Sequence, residues 1–263
     1  MSERTSYTPG TPCWVDLGAP DVEAAASFYE GLLGWQTPEM PNSAELGGYR
    51  RAKMDGADVA GMVPLMQEGQ PPAWSSYVSV EDADATAAAV KEAGGSVIAE
   101  PMDVMGLGKM AIFVDPTGAV FGIWQPGTFA GAARVNEPGA LAWNELNTRD
   151  PEAAKAFYGA VFGWGFEDHD MGEMGTYTEW KLGDASIGGM MDIGNTQMPA
   201  EVPAHWLVYF AVESADAAVE TAKSSGGNVA FGPIDIPAGR FAVVTDPFGA
   251  AFAVIEMPEG AAA

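Results

Sequence analysis

The sequence predicts an α+β protein with an internal duplication, in which residues 1–130 and 131–263 form two similar halves of two βαβββ modules each. Three observations lead to this fold class. Segments recur in the same order about 130 residues apart. The 33 Gly and 19 Pro residues favour short elements joined by many turns. Helical patterns are separated from runs of strand patterns, which is typical of largely antiparallel sheets.

Three pairs of segments carry the duplication, and their order is the same in both halves. The first half contains residues 28–35, 74–81 and 115–119. Their counterparts in the second half are, in the same order, residues 157–164, 206–213 and 246–250. The offsets of 129, 132 and 131 residues are nearly constant, which chance does not produce. The segment that joins the halves, residues 127–138, has little periodicity and is predicted to be a linker.

Each half is predicted to begin with a strand and a helix. In the first half, residues 14–17 alternate as a strand does, and Asp21 is a suitable N-cap for the helix that follows. In the second half, Asp150-Pro151 gives a stronger signal, because proline is favoured at the first helical position. Gly34 and Gly163 are expected to end these two helices.

The remaining elements are predicted in the order strands, then a second strand–helix unit, then three more strands. In the first half they are residues 49–54, 58–64, 76–80, 84–93 (the helix), 97–99, 109–114 and 120–125. The second half repeats them with a helix at 215–225 and strands at 241–245 and 250–256. The sequence Asp-Pro-x-Gly before the last strand of each half has the chemistry of a hairpin turn.

Taken together, these segments resemble the vicinal oxygen chelate superfamily, which includes glyoxalase I, extradiol dioxygenases and the bleomycin- and fosfomycin-resistance proteins. The resemblance covers about residues 11–257. Its markers are the helix ends at 28–35 and 157–164, the glycine pairs at 94–95 and 226–227, and the two Asp-Pro-x-Gly hairpins. Residues 100–105 with 118–126 are similar to an actinobacterial group of two-domain glyoxalase-like proteins, also described as hydroxylases or antigens. The resemblance implies two cup-shaped mixed sheets, often with a divalent metal ion at the centre of the cup.

The metal ligands of the family are missing from the positions where the resemblance implies them. Metal-dependent members have one ligand, usually His, on the first strand of a module, and another, usually Glu, on the last strand. By spacing, these positions hold Trp14, Trp143, Ser75, Leu207, Gly122 and Ala253. None of these side chains binds a divalent ion. We therefore expect no metal and no other cofactor in either cup.

The chain has only two histidines, and neither has the spacing of a metal motif. His169 lies in the polar segment 167–170 and is expected to be solvated. His205 precedes Trp206 at the start of a predicted strand, where it either caps the strand or faces the pocket.

Tryptophan followed two residues later by a carboxylate occurs on the first strand of both halves, as Trp14/Asp16 and Trp143/Glu145. Alternation places both members of each pair on the face that turns towards the cup. The expected ligand-binding residues are Trp14, Trp74, Met102, Trp124, Trp143, His205 and Trp206. Small residues on the last strand leave room for a ligand, and Tyr49, Met105 and Met110 could add lining. The alternative for each tryptophan is ordinary core packing.

Asp16 and Glu145 are the candidate catalytic residues. An unpaired buried charge is costly, so each carboxylate needs a partner. Structural pairing would use a cation of the chain, and the candidates are Arg50, Arg51, Lys109 and Arg240. The alternative is a ligand cation or a role in proton transfer. The sequence leaves both open.

Charge and composition restrict the partners. The acidic chain has a formal net charge of −24, which disfavours nucleic acid and anionic membranes. Cys13 is the sole cysteine, so no intramolecular disulfide forms. No apolar run approaches the roughly 20 residues that span a bilayer, and the opening residues 1–4 lack the apolar core of a secretory signal. We expect a cytoplasmic monomer or homodimer.

Three functions are compatible with these features. The first is a small-molecule binding protein of the bleomycin-resistance type, without the usual metal site, whose ligand is an aromatic or cationic metabolite or antibiotic. The second is a glyoxalase-like lyase or isomerase that uses Asp16 or Glu145 as general acid or base. The third is a non-catalytic interaction module.

Overall fold

The computed structural model describes residues 3–40, 47–67, 69–172, 175–196 and 198–258. Residues 1 and 2, part of the segment used above to exclude a signal, lie outside the described residues. The first half contains β1 (Pro12–Ala19), α1 (Val22–Leu33), β2 (Arg50–Met54), β3 (Ala57–Pro64), β4 (Ala73–Ser79), α2 (Ala83–Glu92), β5 (Ser96–Asp103), β6 (Gly108–Val114) and β7 (Val120–Pro126). The second half contains β8 (Leu141–Thr148), α3 (Pro151–Phe162), β9 (Gly165–Asp170), β10 (Thr176–Leu182), β11 (Ala185–Asp192), β12 (His205–Ala211), α4 (Ala215–Ser224), β13 (Asn228–Ile236), β14 (Gly239–Thr245) and β15 (Ala251–Glu256).

Each half forms one mixed sheet. The first sheet has the strand order β2-β3-β1-β4-β7-β6-β5, and the second has the order β13-β14-β15-β12-β8-β11-β10-β9. Antiparallel pairs join the two modules at the centre of each sheet, β1 with β4 and β8 with β12. Within each module, the first strand pairs in parallel with the last. The duplicated α+β fold predicted from the sequence is therefore confirmed.

The first module differs from the other three. Modules two, three and four each place three strands after their helix. In the described part of the first module only β2 and β3 follow α1. An isolated bridge between Gln36 and Lys53 lies at the position where the other modules begin the first strand after their helix. This is why the first sheet has seven strands and the second has eight.

The helix ends follow the predicted capping chemistry. The carboxylate of Asp21 accepts hydrogen bonds from the backbone N–H groups of Glu23 and Ala24, and Asp150 caps α3 in the same way. Gly34 and Gly163 end α1 and α3 in the left-handed conformation, with φ near 70°. No helix within the described residues is both long and apolar enough to cross a membrane.

The two sheets pack through their helix-covered faces, and the modules exchange partners across the halves. One core cluster combines α1 and the first module with α4, β12, β14 and β15, while the other combines the second module with α3 and the third. Several buried hydrogen bonds cross between the halves, and two of them use the repeated motif: Tyr29 donates to Asp246 at 3.3 Å, and Tyr158 donates to Asp115 at 2.9 Å. The aspartates belong to the two Asp-Pro-x-Gly hairpins, so the repeated motif also joins the halves.

Candidate functional site

The face of each sheet that turns away from the helices forms a separate apolar cluster, and we call these faces cup 1 in the first sheet and cup 2 in the second. The central strands supply the base of each cup. In cup 1 the base consists of Trp14, Asp16, Tyr49 and Tyr77, and in cup 2 of Trp143, Glu145, Tyr177 and Tyr209. In the antiparallel register Trp14 lies opposite Tyr77 and Trp143 opposite Tyr209, which puts each pair on one face.

The base of cup 1 is a hydrogen-bonded group of aromatic side chains around one carboxyl. The indole Nε1 of Trp14 donates to the Tyr49 hydroxyl oxygen at 2.9 Å. The hydroxyl of Tyr77 hydrogen-bonds to the carboxyl of Asp16. Trp14, Asp16 and Tyr77 are all buried.

The base of cup 2 repeats this group with a longer acid. The Nε1 of Trp143 donates to the Tyr177 hydroxyl oxygen at 2.8 Å. The Glu145 carboxylate accepts a hydrogen bond from Asn147 Nδ2 at 3.2 Å and also hydrogen-bonds to Tyr209 and Tyr177. Glu145 thus has three donors where Asp16 has one, and one of the three, Asn147, stands where the first half has Gly18.

Burial changes the acidity of both carboxyl groups. It raises the pKa of Asp16 to about 7, against a smaller lowering by the hydrogen bond from Tyr77. Burial likewise raises the pKa of Glu145 to about 7, although Tyr209, Asn147 and Tyr177 oppose it. Each group can therefore take up or release a proton close to neutral pH.

Three of the four cations considered as structural partners of these carboxyls are engaged elsewhere, so the structure does not show the structural pairing that was one of the two alternatives. Arg51 pairs with Asp58, Lys109 with Asp84, and Arg240 with Asp216 and Asp235. Arg50 takes part in none of the salt bridges found among the described residues, and none of those bridges includes Asp16 or Glu145. Carboxylates nearer the surface satisfy the cations at a smaller desolvation cost.

The expected free space beside the small residues of the sheet is filled by tyrosine. A β-carbon at Gly122 would overlap the ring of Tyr77, and one at Gly61 would overlap the hydroxyl of Tyr49. In cup 2 the hydroxyl of Tyr177 lies against Gly189 in the same way. Glycine is therefore required for the close approach of a ring that belongs to the protein, and the expectation that these positions leave room for a ligand is wrong.

The residues at the centre of each cup do not fit a divalent metal ion. Parallel pairing puts Asp16 beside Gly61 and Tyr77 beside Gly122, and the same arrangement in cup 2 combines Glu145, Gly189, Tyr209 and Ala253. Each centre thus offers one carboxyl and two tyrosine hydroxyls. Burial raises the pKa of Tyr77 and Tyr209 well above the usual value, which disfavours the phenolate that a metal would need. Hard divalent ions require several carboxylate or imidazole ligands.

Trp74 and Trp206 do not line the cups, contrary to expectation. Trp74 packs on Tyr29, Trp35 and Phe210 in the core between the sheets, and its Nε1 donates to the Tyr29 hydroxyl at 3.0 Å. Trp206 makes the matching hydrogen bond to Tyr158 at 2.9 Å. Trp74 lies opposite Leu17 in the sheet, on the helix-covered face. Because side chains alternate between the two faces of a sheet along a strand, both indoles lie on the helix-covered face and not in the cups.

Three of the remaining predicted ligand-binding residues lie on cup faces. Trp124 is buried in cup 1, where its Nε1 donates to the carbonyl oxygen of Phe129 at 2.8 Å. Met102 lies at the edge of cup 1, opposite Met110 in the sheet, and is 53% exposed. His205 lies opposite Asn147 at the rim of cup 2, with its Nδ1 2.9 Å from the Pro203 carbonyl oxygen.

His169 belongs to a polar cluster beside cup 2 and not to a loop. It lies on β9, with its Nε2 3.1 Å from a carboxylate oxygen of Glu179 on β10, and is partly exposed. Glu167 completes a group whose three ligand atoms lie within 4.8 Å of one another. Lys181 lies 3.1 Å from Glu179 and 3.6 Å from Glu167, so the cluster already contains a cation.

Sequence reasoning missed Tyr77, Tyr177 and Tyr209 and counted Tyr49 only as lining. The signal was present, because Tyr77 and Tyr209 lie inside the second pair of repeated segments. Tyr49 and Tyr177 also recur, with an offset of 128 residues, each followed four residues later by lysine. A repeated tyrosine on the cup face of a strand indicates a partner for the repeated carboxylate.

A small gap lies between the halves, away from both cups. Its walls include Ser76 and Asn144, whose side chains share a hydrogen bond of 2.7 Å, and the rings of Tyr158 and Trp206. Its volume is about 10 Å³, room for about one water molecule. The gap is therefore too small to be a ligand pocket.

Comparison with known proteins agrees with the fold. The family model described as Glyoxalase/Bleomycin resistance protein/Dioxygenase superfamily matches residues 13–123 and 140–254. A Mycobacterium tuberculosis protein with the provisional name glyoxylase CFP32 is 43% identical over 97% of this chain and 98% of its own length. The anthracycline biosynthesis protein DnrV of Streptomyces peucetius is 41% identical over 97% of this chain and 96% of its own length. The structure of a Mn(II)-bound glyoxalase from Novosphingobium aromaticivorans matches with a TM-score of 0.64 at 18% identity, over 98% of this chain and 85% of that one.

Proposed function

Because the chain belongs to the glyoxalase/bleomycin resistance protein/dioxygenase superfamily, we propose that it binds a flat aromatic small molecule in a cup without the help of a metal ion. The observation that carries the proposal is the repeated base, in which a tryptophan, two tyrosines and one carboxyl stand at the centre of each sheet. Aromatic faces supply contact area, while the hydroxyls and the carboxyl can orient the polar groups of a ligand.

The chain itself supports the choice of an aromatic ligand. Phe129, from the segment that joins the halves, lies edge-on to Trp14 with 4.9 Å between ring centroids and to Trp124 with 5.9 Å. Edge-to-face pairs at such distances are favourable. The base of a cup therefore accepts an aromatic ring above its tryptophan.

One relative narrows the class of ligand. DnrV is named for anthracycline biosynthesis, and anthracyclines contain flat fused rings with hydroxyl and quinone oxygens. A quinone oxygen can accept a hydrogen bond from a protonated carboxyl, and a hydroxyl group can donate one to a carboxylate; both forms of Glu145 are accessible near pH 7. A fused-ring hydroxyquinone is thus the ligand class that we propose.

Calorimetric titration with 1,8-dihydroxyanthraquinone tests this function on protein that has been treated with EDTA. We expect binding that quenches tryptophan fluorescence and is unchanged when Mn²⁺ is added back. Binding that requires the divalent ion would contradict the metal-free part of the proposal. If no member of a panel of hydroxyquinones and amines binds, the two bases have only a structural role. The third candidate function, a non-catalytic interaction module, would then be preferred.

A second candidate is proton-transfer catalysis of the lyase or isomerase type, with Asp16 or Glu145 as general acid or base. The observation in its favour is that burial raises the pKa of each carboxyl to about 7, which matches an ordinary working pH. Exchange of a carbon-bound proton of an enolisable ketone into deuterated water would detect it. Loss of this exchange in Glu145→Gln, with ligand binding retained, would support catalysis over simple binding.

A further inference from the structure

We propose that cup 2 alone takes the ligand and that cup 1 is sealed by the chain's own Phe129. This inference rests on the proposed function, since it assigns the aromatic ligand to one of two similar bases. It also gives the ligand a defined set of walls, because the residues around the two bases differ.

Cup 1 is closed by the segment that follows β7. The ring of Phe129 covers Trp14 and Trp124, and its own carbonyl oxygen accepts the hydrogen bond of the Trp124 indole. The guanidinium of Arg51 lies over the Phe129 ring, 5.3 Å from the ring centroid. Only 4% of Trp14 is exposed, so no surface remains on this indole for a ligand.

Backbone contacts hold this segment in place. The N–H of Ala132 donates to the Cys13 carbonyl oxygen on β1 at 2.8 Å, and the Tyr7 hydroxyl donates to the Ala132 carbonyl oxygen at 2.6 Å. A β-carbon at Gly131 would overlap the Cys13 carbonyl, which shows how closely the segment lies on the strand. The seal is therefore part of the packed structure and not a loose flap.

Among the described residues, no aromatic ring packs on Trp143 as Phe129 packs on Trp14, and the counterpart of Trp124 is smaller. In cup 2 the smaller Ile255 occupies the position that corresponds to Trp124. Trp124 pairs with Met110 in the first sheet, and Ile255 pairs with Phe241, the counterpart of Met110, in the second. Trp143 is only partly buried.

An aromatic wall leads from the base of cup 2 to its rim. The ring of Tyr209 lies 6.0 Å from that of Phe241, and Phe241 lies 5.9 Å from Phe231. Phe231 is 51% exposed at the edge strand β13. In cup 1 the position of Phe241 is taken by Met110. A flat ligand that contacts the partly exposed Trp143 and Phe231 can thus lie along this wall, above the buried Glu145.

Titration calorimetry with 1,8-dihydroxyanthraquinone tests the assignment through the number of sites and the effect of wall variants. The wild-type chain should bind one probe molecule. Phe231→Ala should weaken binding about tenfold, because it removes one aromatic contact. Phe166→Ala is the matched control, since Phe166 is a half-exposed phenylalanine on β9 of the same sheet that pairs with Trp180 on the helix-covered side. Phe129→Ala should add a second, weaker site by opening cup 1.

The outcomes separate this inference from the function on which it rests. Affinity lost in Met110→Ala but retained in Phe241→Ala would place the probe in cup 1 and overturn the assignment, while aromatic binding would stand. Two sites in the wild type, or a site that exists only in Phe129→Ala, would overturn it as well. Absence of binding in the wild type and in every variant would remove the proposed function and the inference together. Phe231→Ala alters an exposed side chain, so loss of fold does not confound it.

Discussion

In cup 1 the indole of Trp14 is covered by Phe129, whereas in cup 2 the indole of Trp143 is partly exposed, although the same tyrosine hydrogen bond lies beneath each. The difference begins one side chain away from the base. It shows that the duplication preserves the hydrogen-bonded centre of the cup and changes what surrounds it. The base is therefore common to both cups, and the residues that cover it determine whether a ligand can reach it.

The rims of the cups differ in charge as well as in shape. On β2, Arg51 and Lys53 both pair with Asp58 on the neighbouring strand. The positions 128 residues later hold Glu179, Lys181 and Ser186, so a cation has become an anion and the aspartate has become a hydroxyl. The first rim is thus an ion-pair group in which Arg51 also contacts Phe129, while the second leaves more negative charge on the side of the partly exposed Trp143.

The largest expected effect concerns what the two bases share, namely a carboxyl that is protonated more readily in the folded chain than in the unfolded one. The folded pKa of both Asp16 and Glu145 is about 7. Between about pH 4 and pH 7 the folded chain therefore holds protons that the unfolded chain has released, and stability falls as pH rises through this window. Each group should lower the free energy of unfolding on the order of 3–4 kcal/mol by pH 8, relative to pH 4.

Urea unfolding of the wild type, Asp16→Asn and Glu145→Gln at several pH values checks this expectation. The difference between wild type and variant isolates the single group from the general self-repulsion of an acidic chain. Each amide should be more stable than the wild type at pH 8, and the advantage should disappear near pH 4. A difference that does not change with pH would show that the carboxyl is not protonated on folding. Unequal slopes would show that the two bases are less alike than their contacts indicate.

The next effect should break the symmetry of the cups. Glu145→Gln should reduce affinity for the hydroxyanthraquinone, or the rate of proton exchange, by about 100-fold, which is the usual loss when one polar contact to a reacting or charged group is removed. Asp16→Asn should change either quantity by much less, because Phe129 separates the base of cup 1 from solvent. Calorimetry and deuterium exchange measure the two quantities separately. Equal losses in both variants would mean that both cups work.

A smaller effect should follow from opening cup 1. Phe129→Ala should lower the free energy of unfolding by about 2 kcal/mol, less than the loss for a fully buried phenylalanine because this ring is partly exposed. Phenol at millimolar concentration should restore part of the lost stability by filling the space. The half-exposed Phe166→Ala serves as the control, with little loss and no rescue. If phenol stabilises both variants equally, Phe129 does not occupy a defined ring site.

The strand and helix order, the duplication and the caps could be predicted from sequence because they depend on local rules that act within a few residues. Trp14 and Asp16 could be placed on the cup face for the same reason. The sequence assigned Trp74 to the wrong face of the sheet. Its strand begins at Ala73, and the sequence pattern alone does not fix which face each residue of such a strand occupies, because a shift of one residue moves every side chain to the opposite face. The tyrosines that hydrogen-bond to the carboxyls come from other strands, and only tertiary register brings Tyr177 and Tyr209 to Glu145. Phe129 lies in a segment without periodicity, so its position over Trp14 had no local signal.

The smallest effect would sharpen the comparison at the level of one hydroxyl. Tyr177 hydrogen-bonds to Glu145 and lowers its pKa, whereas the pKa of Asp16 is lowered by Tyr77 and not by Tyr49, the cup 1 counterpart of Tyr177. Tyr177→Phe should therefore raise the pKa of Glu145 further, by about one unit or less, and Tyr49→Phe should leave that of Asp16 nearly unchanged.

Both of these variants also remove the acceptor of a tryptophan N–H, which should cost each about 1 kcal/mol of stability. The loss of stability is thus common to both, and the change in acidity is specific to cup 2. Carboxyl resonances of ¹³C-labelled protein, followed as a function of pH, measure the two pKa values directly. A rise in both variants would mean that Tyr49 reaches Asp16 in solution. A rise in neither would mean that the hydrogen bond from Tyr177 does not affect the pKa of Glu145. The two bases would then be chemically equivalent, and the cups would differ only in the residues that cover them.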